Sequence, residues 1–267
     1  MDMKYAFFSI TALAFASGTV SAQEVPETLD LNNPDLVFVD DSVIPIPLEI
    51  FASLDKLGNQ KWERYIISRP IDVDTNRSRT AMLFGLVVSE GFIAVQAKDK
   101  EAVKRVGRDV LRLSEPLGVS GSVEAHANSI INNASRSDWD AVRAELDSTR
   151  QTVINRMEQQ RDTELVALVS LGGWLGGTEA LAAVIKENYS EEGSDLLNQL
   201  DLVRQLNSDF NALPRRARRG EIFTRVGQTL DHLEALMQRD ESGAISEGKV
   251  IEISLATSNL VEAIYES

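Results

Sequence analysis

Two stretches of this sequence are apolar on nearly all sides, and they indicate how the chain folds. Residues 165–185 read LVALVSLGGWLGGTEALAAVI, and residues 81–97 read AMLFGLVVSEGFIAVQA. A helix at a protein surface has one polar face, so a helix without one is expected in the interior of a bundle. We predict that these two helices form the core around which amphipathic helices pack.

The rest of the sequence shows helical periodicity over most of its length. Between Val103 and Leu117, and between Phe223 and Met237, apolar residues recur every three or four positions, which places them on one helix face. The predicted helices span residues 77–97, 99–117, 121–133, 138–171, 173–188, 194–213, 221–238 and 247–265. Their short connections favour antiparallel neighbours. We therefore expect an all-α fold of about eight or nine helices, either a multi-helix bundle or an array of antiparallel helical hairpins.

Four glycines in the segment 165–185 bear on its structure. They occupy positions 172, 173, 176 and 177, and glycine lowers helix stability, so we predict a break after residue 171 within a buried, kinked hairpin. The segment is also long enough to cross a bilayer. Because the carboxylate of Glu179 would be costly in hydrocarbon, we favour the buried hairpin over a membrane span.

A short motif occurs once in each apolar stretch. Residues 89–95, SEGFIAV, and residues 178–184, TEALAAV, share a hydroxyl, a glutamate, a large apolar residue and a final Ala-Val. A repeated motif of this kind is expected of a duplicated helical hairpin, and here it extends over seven positions. Internal duplication is therefore left as an open alternative.

The first 22 residues have the order of a secretory signal peptide. Lys4 precedes an apolar run over residues 5–16, and small residues at positions 20–22 supply a cleavage site. We expect the mature chain to begin at Gln23 and to be periplasmic or secreted in a bacterium.

Proline divides the remaining chain into an arm and a body. Four of the seven prolines lie in residues 23–47, where proline opposes both helix and sheet, so we predict an extended arm. Residues 48–267 are expected to form a single helical domain. Without cysteine, this domain is stabilised by its core and holds no disulfide, iron–sulfur cluster or cysteine nucleophile.

The charge of the chain limits its partners. A formal net charge of −14 disfavours nucleic acid, whose phosphates are bound by Lys and Arg. A small molecule or another protein of the cell envelope is therefore the expected partner. The oligomeric state is not predicted.

The sequence offers no metal or cofactor pattern. Neither His126 nor His232 has an acid or a second histidine three or four residues away, which excludes the usual di-iron and zinc-protease motifs. Residues 72–76 begin like a calcium loop, but Arg77 and Leu83 occupy its glycine and glutamate positions. We expect these residues to cap a helix, neighbouring side chains to satisfy the histidines, and no cofactor or catalytic residue set.

Three residues are candidates for a ligand site. Glu90 and Glu179 are acids within apolar helices, and a buried carboxylate either pairs with a cation or becomes neutral, as often happens at functional sites. Trp174 lies among glycines that leave room beside its indole. Each candidate has a structural alternative. The glutamates could form ion pairs with arginines, and Trp174 could fill the space at a tight helix crossing. The arginines considered are Arg77, Arg79, Arg156 and Arg161.

A basic block interrupts the acidic chain after Pro214. It contains Arg215, Arg216, Arg218 and Arg219. Four neighbouring cations repel one another, so we predict contact with an anionic partner, with a solvated loop as the alternative.

These observations favour a non-enzymatic binding protein with a pocket or groove between its helices. One alternative is a hydrolase or lyase that uses Glu90 and Glu179 for acid–base catalysis. It requires the two carboxylates in an open pocket, whereas arginine pairing in a closed core would oppose it. Another alternative is an interaction scaffold without a pocket, which requires an exposed apolar groove.

Overall fold

The computed structural model describes residues 52, 54–58, 60–73, 75–240 and 243–267. The predicted signal peptide over residues 1–22 and the predicted arm over residues 23–47 lie outside the described residues. Both therefore stay predictions.

The described part of the chain is all helical, which confirms the predicted fold class. It has nine α-helices, antiparallel contacts between neighbouring helices, and no strand. The α-helices are α1 (Arg77–Gln96), α2 (Lys100–Leu117), α3 (Ser120–Ser135), α4 (Trp139–Gln159), α5 (Thr163–Glu187), α6 (Glu191–Ser194), α7 (Leu200–Ala212), α8 (Glu221–Leu236) and α9 (Glu247–Glu266). Two 3-10 turns cover Trp62–Tyr65 and Asp195–Leu197.

Helix α1 begins at the residues that resemble a calcium loop. The side chain of Asn76 accepts a hydrogen bond of 3.1 Å from the backbone N–H of Arg79. This bond satisfies one of the free donors at the helix start. The predicted capping role of this cluster is thus confirmed at Asn76.

Helices α1 and α5 form the centre of the fold, as the sequence predicts. They make the most extensive helix–helix contact among the described elements. Leu83, Leu168 and Leu175 are fully buried at or beside this contact. Helix α2 packs on α1, and α9 packs on α5. The hairpin of α3 and α4 contacts the rest of the fold mainly where α3 packs on α2.

The predicted break after residue 171 is wrong, because α5 runs unbroken through all four glycines. The chain instead breaks between α4 and α5, where Arg161 has a positive φ of 60°. A Cβ atom on Gly172 would lie 2.1 Å from the carbonyl oxygen of Met82, and one on Gly85 would lie 2.1 Å from that of Val169. The glycines therefore allow the backbones of α1 and α5 to touch, and this packing offsets their low helix propensity.

Two described helices, α1 and α5, are long and apolar enough to cross a bilayer by length and composition alone. Most of each is buried against other helices, with 83% and 72% of the apolar windows covered. The same composition is expected of core helices in a bundle.

Candidate functional site

Glu90 and Glu179 line one open cavity, although they lie on different helices. The cavity has a volume of about 220 Å³ and lies between α1, α5, α9 and the segment before α1. We call it the glutamate cavity. Its other charged or phenolic side chains are Arg64, Tyr65, Arg69, Lys186, Glu187 and Tyr265.

Arg69 holds Glu179 in place. Its Nη2 atom donates to Oε1 of Glu179 at 2.7 Å, and its Nε donates to Oε2 of Glu262 at 3.1 Å. The guanidinium also lies 5.4 Å from the ring centre of Tyr265, a cation–π contact. Only 12% of the Arg69 side chain is exposed, so this is a largely buried ion pair that links the loop before α1 to α5 and α9.

Glu90 is paired less completely. Nη2 of Arg105, on α2, donates to its Oε1 at 2.5 Å. Burial raises the pKa of Glu90 above its ordinary value, and the hydrogen bond and charge of Arg105 only partly oppose this rise. The carboxyl group of Glu90 is therefore more easily protonated than a surface carboxyl, and it lines the open glutamate cavity.

The predicted partners of the two glutamates are wrong. Arg77 pairs with Asp162 at 2.8 Å, and Arg79 donates to backbone carbonyls, among them those of Asp72 and Tyr265. Arg156 and Arg161, the other two candidates, are exposed. The glutamates pair instead with Arg69 and Arg105, which were not among the predicted arginines.

Two phenols add neutral hydrogen-bonding groups to the cavity. Burial and the neighbouring carboxylate of Glu187 raise the pKa of Tyr65 to about 12, and its hydroxyl donates to Oε2 of Glu187 at 2.8 Å. Burial also raises the pKa of Tyr265, followed by the negative charge of Glu90. Both hydroxyls therefore keep their protons at neutral pH.

The charges around the glutamate cavity balance. Three acids (Glu90, Glu179 and Glu187) face three cations (Arg64, Arg69 and Lys186). The charged side chains that line this cavity therefore carry no net formal charge. No group of three or more His, Asp or Glu in the described residues is placed to hold a metal ion.

Trp174 is not brought to the two glutamates. It lies outside the lining of the glutamate cavity, and only 3% of it is exposed. Its indole N–H donates to Oε1 of Gln199 at 2.7 Å. This position matches the structural alternative, in which the indole fills space in the core.

The basic block lies on the surface between α7 and α8. Arg216 pairs with Glu164 at 3.1 Å, and Arg218 donates to the carbonyl of Leu213 and lies 5.6 Å from the ring centre of Phe210. Arg215 and Arg219 are exposed and make no ion pair with the described residues. Contact of this block with an anionic partner stays a prediction.

His126 is satisfied by a neighbouring helix, as expected. Its Nδ1 lies 2.5 Å from Oε1 of Glu145, and its Nε2 lies 3.0 Å from the hydroxyl of Thr152. Ser129 donates to the other oxygen of Glu145 at 2.8 Å. These side-chain contacts join α3 to α4. His232 is exposed on α8.

No protein family model, curated protein or solved structure matched this chain.

Proposed function

We propose that this protein binds a small hydrophilic molecule in the glutamate cavity and that its role is non-enzymatic. The observation that carries the proposal is that Glu90 and Glu179, from two different core helices, line the same open cavity. Both signs of charge occur in its wall, so a ligand with one or more charged groups is the best fit.

The ion pairs around the cavity support a binding role. Arg69 fixes Glu179, and Arg105 fixes Glu90, through short charge-assisted hydrogen bonds. Groups that are already held in position lose little further freedom when a ligand binds. The cavity wall is thus preorganised for a ligand.

We further propose that the protein acts in the bacterial cell envelope, as its N-terminal residues suggest. Cell fractionation followed by mass spectrometry of the N-terminus tests this separately from binding. The expected result is a periplasmic or secreted chain that begins at Gln23. An intact N-terminus in the cytoplasm would contradict the proposed location and leave the binding test intact.

Binding is tested by native mass spectrometry of the protein purified without denaturation. Ala183, which lines the glutamate cavity, is replaced by Trp, and exposed Ala235 on α8 receives the same substitution as a control. We expect a small molecule to accompany the wild type and Ala235→Trp but not Ala183→Trp. Equal occupancy in all three proteins would contradict the proposed site.

A second candidate function is acid–base catalysis, favoured by the raised pKa of Glu90 in an open cavity. Against it, Arg69 donates to both carboxylate oxygens of Glu179, at 2.7 and 3.4 Å. Incubating the recovered ligand with fresh protein separates the two functions. An unchanged ligand supports binding, whereas conversion that is lost in Glu90→Gln supports catalysis.

The scaffold alternative has less support. The exposed large apolar side chains of the described residues are Ile67, Ile251 and Leu255, of which the last two are neighbours on α9. An apolar surface made of two side chains is much smaller than the contiguous apolar patch that marks a protein interface.

A further inference from the structure

A second cavity lies on the other side of α1, between α1, α2, α3, α4 and α5. Its volume is about 120 Å³, close to the roughly 150 Å³ of an engineered apolar cavity that binds benzene. Its wall is almost wholly apolar and includes Phe84, Phe92, Val106, Ile130, Leu146 and Val153. We call it the apolar cavity.

Missing side chains help to create this space. Gly91 lines the cavity, and a Cβ atom on it would lie 3.1 Å from Cγ1 of Val106, which also lines the cavity. Helix α4 makes much less contact with α1 and α5 than they make with each other, so it covers the cavity without filling it. Loosely covered apolar space between helices is typical of small-molecule sites in helical bundles.

Arg150 is the one charged side chain among the described residues that line the cavity. Its Nε atom is buried and has no hydrogen-bond partner. Oδ1 of Asp147, one turn away on α4, lies at an ion-pair distance of 3.8 Å, which is too long for a hydrogen bond, and it is likewise buried without a hydrogen-bond partner. The two hydroxyls in the wall are already satisfied, because Thr149 and Ser170 donate to carbonyls of their own helices. Nε of Arg150 is therefore the buried donor, among the described residues of this wall, that still lacks a hydrogen bond.

We propose that the apolar cavity is a second binding site, which takes the hydrocarbon part of an amphipathic anion whose charged head pairs with Arg150. The apolar wall removes the hydrocarbon from water. The anionic head supplies the acceptor that Nε lacks, and a carboxylate matches the planar donor face of a guanidinium. This site is independent of the glutamate cavity, with which it shares no lining residue.

The proposal is tested by calorimetric titration of the full chain with octanoate and with octan-1-ol. These probes share one hydrocarbon chain and differ in head charge. We expect saturable binding of octanoate to the wild type, with about tenfold weaker binding to Arg150→Met because a charge-assisted hydrogen bond is lost. Octan-1-ol should bind both proteins alike. Arg156→Met is the matched control, because Arg156 is exposed on the same helix, and it should leave octanoate binding unchanged.

Filling the cavity gives a second test. Ala127→Phe places a ring in the cavity and should abolish octanoate binding, whereas Ala125→Phe, at an exposed position of the same helix, should not. If Ala127→Phe does not fold, Leu146→Trp is used instead, because Leu146 is a half-buried residue of α4 that lines the same cavity. No saturable binding to the wild type, as expected if a protein partner covers the cavity, would overturn the proposal. Equal octanoate binding by the filled variant and its control would also overturn it.

Discussion

The two faces of helix α1 border cavities of opposite chemistry. Ser89 and Glu90 face the glutamate cavity, and Val88, Gly91 and Val95 face the apolar cavity. At roughly 100° per residue these two sets lie on opposite sides of the helix. One nearly all-apolar helix thus separates a charged site from an apolar one.

The difference arises from the elements that face α1. On one side, Arg69 from the preceding loop and Glu179 from α5 bring paired charges. On the other side, Val106 of α2 and Val153 of α4 bring hydrocarbon, and Arg150 of α4 is the one charged side chain among the described lining residues. The chemistry of each site is therefore a property of the packing around α1, and it can be changed on one side at a time.

The largest expected effect comes from the crossing of α1 and α5, on which both cavities depend. Gly172→Ala should lower the free energy of unfolding by more than about 4 kcal/mol, because its Cβ would overlap the backbone at Met82. Gly177→Ala, in the same helix with nothing within 4 Å, should raise it by up to about 1 kcal/mol. Urea unfolding measures both.

Similar changes in the two glycine variants would contradict the close crossing. They would indicate that the glycines of α5 act only through helix propensity. Both cavities would then need a different structural basis.

The next effect concerns the charged side of α1 alone. Arg69→Met leaves Glu179 buried without its cation, and loss of one partner of a buried ion pair costs about 3–5 kcal/mol. Arg64→Met removes an ion pair to Glu187 in which 61% of the arginine side chain is exposed, so we expect a loss below about 1 kcal/mol. Thermal and urea unfolding should rank the two variants in this order. The reverse order would show that Arg69 does not anchor the cavity.

The apolar sequences of the two central helices were enough to predict the fold. Helices over residues 81–97 and 165–185 have no polar face, and burial in a bundle removes their apolar side chains from water. The break at the glycines was predicted wrongly because helix propensity is a local quantity. The close contact of Gly172 with Met82 involves residues 90 positions apart, and it outweighs the local penalty.

The site was predictable only in part. An acid within an apolar helix is visible in the sequence, and this signal found Glu90 and Glu179. Their partners were not visible, because Arg69 lies 110 positions from Glu179 in a segment without periodicity. Arg105 is 15 positions from Glu90, but only the packing of α2 on α1 shows that the two meet.

The smallest effect is a pH dependence on the charged side. The folded state raises the pKa of Glu90 above 4.5, so it binds the proton more tightly than the unfolded chain does. The stability that this group contributes is therefore present at low pH and lost as the pH rises above about 4.5. Glu90→Gln should lack this loss, so the wild type should become less stable relative to the variant as the pH rises.

Urea unfolding from pH 4 to pH 7 provides the measurement. Arg105, Asp109 and Arg69 act on Glu90 and stay present in the variant. Glu101→Gln is the control, because 83% of its side chain is exposed, and it should follow the wild type. A relative gain of wild-type stability with rising pH would show that Arg105 outweighs burial.

Whether α1 separates two independent binding sites can be tested by amide NMR of the labelled protein titrated with octanoate. We expect shifts at the amides of Gly91 and Gly107, which line the apolar cavity, and none at Gly176 and Ala180, which line the glutamate cavity. Shifts of similar size at all four amides, or at Gly176 and Ala180 alone, would contradict this independence.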